Sequence, residues 1–122
     1  MKANIDIAGV KYPLHFGMRD IQGVLNDIGA GDDFTKASEI MTEASKKPML
    51  LIKVATACAF HGINGYCRKE KTESTFETIS DLEDAVSNIG EISAAINEFT
   101  TAFMEFFQMG TTDNATKKKA SR

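Results

Sequence analysis

The chain has 122 residues, 43% of them hydrophobic and 25% charged, which is enough for one domain around one core and ordinary for a water-exposed globular protein. The formal net charge is −3, split into −6 over residues 1–110 and +3 over residues 111–122. An acidic body argues against nucleic-acid binding through phosphate neutralisation, and the longest apolar run, Met49 to Ile52, is far short of a membrane span of about 20 residues.

The N-terminal residues Met1 to Ile7 have no apolar stretch of the kind a secretory signal needs. Two cysteines without such a signal point to reduced thiols in a cytosol. Ile5 and Ile7 alternate with polar neighbours, Ala8-Gly9 is a turn, and Tyr12, Leu14 and Phe16 alternate again within Val10 to Phe16. This pattern predicts a β-hairpin, with Pro13 marking an edge because it donates no ladder hydrogen bond. The period then changes. Met18, Ile21, Val24, Leu25 and Ile28 form a helical stripe, and Gly29 is placed to stop that helix. His15 alternates with the apolar set and is expected to face solvent.

A second helix is predicted over Phe34 to Ser45, capped by Asp32 or Asp33. Pro48 suits the first position of a third, Met49 to Phe60, the most apolar of the chain and the expected core helix. Gly62 and Gly65 are expected to break it, leaving Tyr66 to Ser74 as a charged loop. Ser74-Thr75-Phe76-Glu77 has the capping-box pattern and predicts a helix with Phe76, Ile79, Leu82, Val86 and Ile89 on one face. Gly90 permits a bend before a last helix, Glu91 to Met109, which Gly110 ends. The expected architecture is therefore mostly α within the α+β class. One N-terminal β-hairpin and about five helices make a domain over residues 1–110, with a disordered basic tail over 111–122.

No catalytic constellation stands out. Cys58, His61 and Cys67 are the one group with metal-ligand character, but the ligand set is incomplete for zinc. The plainer reading makes Cys58 a small core residue and His61 the cap of the core helix. Neither a metal nor a cofactor is expected, and neither is an enzyme. Phe99 to Met109 holds four Phe and two Met in eleven residues. Ordinary core is one reading of that helix. The other starts from the adjacent pairs Phe103-Met104 and Phe106-Phe107, which point about 100° apart and widen the apolar arc beyond what one small core requires. On that reading Phe99, Phe103, Met104, Phe106, Phe107 and Met109 contact another protein.

The order of these elements resembles that of phage tail assembly chaperones, small proteins of long-tailed phages and prophages. The resemblance lies in Tyr12-Pro13-Leu14-His15-Phe16-Gly17-Met18 followed by the short helix to Gly29. It continues in the small-residue helix Lys53 to Gly62, in Thr75 to Ile89 with acids at Glu77, Asp81, Glu83 and Asp84, and in the long final helix. It covers residues 5–109, and Phe16-Gly17-Met18 is its most specific piece. It implies a role without catalysis in the host cytoplasm: binding the helical tape measure protein, keeping it soluble, helping recruit tail tube protein, and leaving before the virion is complete. It also implies a longer frameshifted form, for which Lys117-Lys118-Lys119 is a candidate slip point; a solvated basic tail is the plainer account of those residues. The possible homo-oligomer stays open. The competing reading is a small regulatory or adaptor protein with nucleic-acid-linked interactions through Arg68 to Lys71 and the tail.

Overall fold

The computed structural model describes residues 4–31 and 33–111. Strand β1 (Asn4–Ile7) pairs antiparallel with β2 (Val10–Pro13), Ile5 opposite Tyr12 and Ile7 opposite Val10. Ala8 and Gly9 both adopt positive φ, at 53° and 84°, the backbone twist that a two-residue hairpin demands. Ile5 and Ile7 enter the core, as the period-2 alternation requires.

β2 ends at Pro13, three residues before the predicted limit of Phe16. Pro13 carries no N–H to extend the ladder. The chain turns instead onto the third helix, where the His15 N–H donates to the Gly62 carbonyl at 3.0 Å. His15 is accordingly half-buried and does not face solvent as its alternation predicts.

Helix α1 (Met18–Asp27) opens with the Asp20 carboxylate reaching back to the Gly17 N–H at 2.9 Å. It closes in a Schellman arrangement: Gly29, at φ 92°, donates to Asn26 and Ala30 donates to Leu25. Asp33 then caps α2 (Phe34–Ala44) by accepting from the Lys36 N–H at 3.0 Å. Pro48 occupies the first turn of α3 (Pro48–Lys69), a 22-residue helix that carries the centre of the core through Val54, Ala55, Cys58, Ala59 and Ile63.

α3 runs straight through Gly62 and Gly65 and turns Tyr66 to Lys69 into helix, which corrects the predicted break and loop. The glycines serve a close approach. A Cβ at Gly62 would lie 2.7 Å from the Phe16 ring, and one at Gly65 would run into the His15 carbonyl and the Asp20 carboxylate. A Cβ at Gly23 on α1 would likewise meet the His61 ring at 2.5 Å. The His15 backbone thus lies directly on α3, with the Phe16 and His61 rings against Gly62 and Gly23, and the burial of that seam outweighs the roughly 1 kcal/mol by which Gly disfavours a helix interior.

The next helix, α4 (Ile79–Ala85), is shorter than predicted and is capped by Thr78 with Asp81, not by Ser74 with Glu77. Val86 leaves the helix in an extended conformation. The Glu91 carboxylate takes the N–H groups of Ser87, at 2.6 Å, and Asn88, at 3.3 Å, donors that a continuous helix would have used internally. It also accepts the Ala8 N–H at 3.0 Å and so ties the hairpin turn to this bend. A single 3-10 turn follows, Ile89–Glu91, and then α5 (Ala94–Thr111). α5 begins three residues later than predicted and includes Gly110, since one glycine weakens a helix without ending it. The architecture is α+β, mostly α, with one hairpin and five α-helices among the described residues. Thr111, expected to start the disordered tail of residues 111–122, is instead the last residue of α5, and residues 112–122 lie outside the described residues.

Candidate protein-binding groove on the last helix

The apolar arc of α5 divides as it meets the rest of the molecule. Phe99 is 2% exposed, with its ring edge-on to Phe16 at 5.7 Å and tilted against Phe103 at 5.8 Å. It is a core residue, unavailable to a partner of the folded chain. Phe103 is half-buried against the core. Met104 is 52% exposed and Phe106 is 37% exposed. The side chains of Phe107 and Met109 lie outside the described residues. Of the six residues expected to bind a partner, one is therefore core, one bridges core and surface, and two are open to solvent.

Phe103 and Met104 form one wall of a groove of about 200 Å³. Leu25 and Ile28 from the end of α1 supply its floor with Phe99, and Ala37 and Met41 from α2 supply the far wall. Among the described side chains of α2 the fully buried ones are small, Ala37 and Ala44, which leaves the groove open beside α5. Its polar lining is limited to the Ser38 and Thr100 hydroxyls, and Thr100 already donates to the Ile96 carbonyl at 2.8 Å. α5 bears two acids, Glu98 and Glu105, seven residues apart and hence on one side of the helix, and no Lys or Arg. Such a surface can bind the apolar face of another helix through adaptable Met and Phe side chains. It positions no nucleophile, base or ligand set.

The other singled-out residues have structural partners. Cys58 is fully buried, and burial pushes its thiol far above the ordinary range, so it is an inert core residue. His61 does not cap α3, which continues for two turns beyond it; its Nε2 bonds the Asp27 carboxylate at 2.6 Å. Cys67 is buried, with its sulfur 3.9 Å from the Thr75 hydroxyl. Among the described residues no three His, Cys, Asp or Glu side chains are grouped to hold a metal ion. Arg68, first of the basic run, is ion-paired with the buried Asp20. Among the described residues no helix is long and apolar enough to cross a membrane.

The α5 wall of the groove is marked in the sequence by its Phe/Met arc, and the α1 and α2 walls are not. Leu25 and Ile28 read as ordinary stripe residues, and only the weak apolar face of α2 hinted that something there is left unfilled. Comparison with family models, with curated proteins and with solved structures returns no match to this chain.

Proposed function

We propose that this protein is a non-enzymatic chaperone of phage tail assembly. It binds a long helical client, the tape measure protein, in the host cytoplasm, holds it soluble while tail tube subunits are recruited, and is absent from the finished virion. The observation that carries this reading is the groove between α2 and α5, predominantly apolar and walled by the exposed Met104. A helical client presents side chains at every third or fourth position, and a Phe/Met groove accepts such a stripe without demanding one sequence. The acids of α5 favour a client with basic flanks. The adaptor reading through Arg68 to Lys71 is weakened because Arg68 is already held by Asp20.

The test is co-expression with the tape measure protein, the very long helical client that this reading requires to be encoded beside this chain. Co-purification, with the client soluble only when the two are made together, is the expected result. A client that is equally soluble alone, or salt-sensitive DNA binding by this chain without client capture, would overturn it.

A further inference from the structure

A second apolar surface shares no residue with the α5 groove. The first turns of α3 leave Met49 78% exposed and Ile52 40% exposed, although this helix carries the centre of the core. Two depressions, of about 440 and 200 Å³, meet here and share Ile52, Thr56 and Glu83, so they form one trough between α3 and α4. Its apolar walls include Ile79 and Ile89. The Thr56 hydroxyl is spent within α3, donating to the Ile52 carbonyl at 2.6 Å. Asp27, at one end, is taken by His61.

Two charges of opposite sign remain on the trough, Lys53 on α3 and Glu83 on α4. Both are exposed, and neither is among the ion pairs of the described residues. A surface carrying an apolar strip beside one unpaired cation and one unpaired anion is complementary to itself. Under a two-fold axis, Lys53 of one copy meets Glu83 of the other, and the reciprocal pair forms at the same time.

We propose that this trough is a homodimer interface, in which the exposed Met49 and Ile52 of two copies pack together and the two Lys53–Glu83 pairs fix the orientation. The interface leaves the α5 groove open on both copies, so the dimer is bivalent for whatever that groove takes. The dimer forms without any client, so its test is separate from that of the proposed function.

The test is sedimentation of the purified full chain over roughly 5–500 µM, a range that reports weak and moderate self-association. A monomer–dimer equilibrium is expected. Lys53→Glu and Glu83→Lys each replace two attractions by two repulsions and are expected to weaken the dimer about tenfold or more. The double variant Lys53→Glu/Glu83→Lys restores both pairs and is expected to return to within about threefold of the original affinity. Met49→Glu, at a site that contributes little to the fold, is expected to abolish the dimer with an unchanged circular dichroism spectrum; it keeps the test readable if a charge variant misfolds. A chain that is monomeric throughout, or a double variant no better than either single one, overturns the proposal. So does a monomer whose Met49→Glu variant loses capture of a helical client, which would assign the trough to a different protein.

Discussion

Two regions of this molecule are built on opposite principles. Where α1 and the segment after β2 cross α3, the contact residues are Gly23, Gly62 and Gly65, and a methyl group added at any of them would lie under 3.0 Å from a neighbouring atom, so something must shift. Where α5 passes α2, the residues are large and flexible, and a groove of about 200 Å³ stays open. A glycine seam has few alternative packings, so it fixes the fold. A Met/Phe groove has many, so it tolerates a partner and adds little to stability. Substitutions at the seam should therefore be read in unfolding, and substitutions at the groove in binding.

Within the seam the largest expected effects are at Gly65 and Asp20. Gly65→Ala places a methyl group against the His15 backbone carbonyl, which cannot rotate away, and against the buried Asp20 carboxylate. Overpacking of this kind costs about 1–3 kcal/mol, and helix propensity returns at most about 1. A net loss of about 1–2 kcal/mol, with a lower urea midpoint, is expected; a stabilised variant would show that the seam can open.

Asp20→Ala follows closely. Asp20 is 4% exposed, accepts the Gly17 N–H and pairs with Arg68. Its removal strands a helix-start donor and leaves a guanidinium without its anion, an expected loss of about 1–3 kcal/mol in the same measurement. Asp20→Asn retains one acceptor for Gly17 and is expected to lose less. Gly23→Ala is milder again, at about 1 kcal/mol, because the atoms its Cβ would meet belong to the His61 ring, a side chain that can swing aside. The displaced ring would leave Asp27, so loss of the His61–Asp27 contact by NMR is the sharper readout.

The seam also has a pH signature. Burial first, and then the Lys69 and Arg68 cations, hold the His15 imidazole below its ordinary value of 6.5. A base lowered by folding carries fewer protons in the folded chain than in the unfolded one. Its contribution to stability is full above the unfolded value and is lost as pH falls through that value towards the folded one. The melting temperature should therefore drop between roughly pH 7.5 and 5, and His15→Gln should flatten that part of the profile relative to the native chain. Glu91, whose carboxyl is lowered chiefly by the N–H groups of Ala8 and Ser87, has the same sign but acts further into acid, below the ordinary carboxylate range.

What the sequence revealed follows the same division. Period and caps were enough for the hairpin, α1, α2, the start of α3 and the apolar face of α5, because those depend on neighbours along the chain. The seam was not legible. Gly62 and Gly65 look like helix breakers until the tertiary partner they admit is known, and nothing local says that His15 and Asp20 will lie on them. The α4 boundary failed for a related reason: two overlapping capping patterns, at Ser74 and Thr78, are equally good locally, and the distant hairpin turn takes part through Glu91. The groove was half legible. A wide Phe/Met arc signals surplus apolar surface, but which residues sink and which stay out depends on α1 and α2.

Met104→Asp carries the smallest expected change in stability and the most informative one in binding. Met104 is 52% exposed and forms the outer wall of the groove, so a charge there remains solvated in the free chain. Unfolding should shift by no more than about 0.5 kcal/mol, the range of ordinary surface substitutions. A helical client seated in the groove would have to desolvate that carboxylate, and a burial cost of about 2 kcal/mol or more corresponds to at least tenfold weaker capture. Phe99→Ala, five residues earlier on α5, should do the reverse: an aromatic removed from the core costs about 3–5 kcal/mol, so loss of fold dominates its effect on binding. If Met104→Asp left client capture intact while Met49→Glu abolished it, the binding surface would be the α3–α4 trough, and the open groove on α5 would be only imperfect packing.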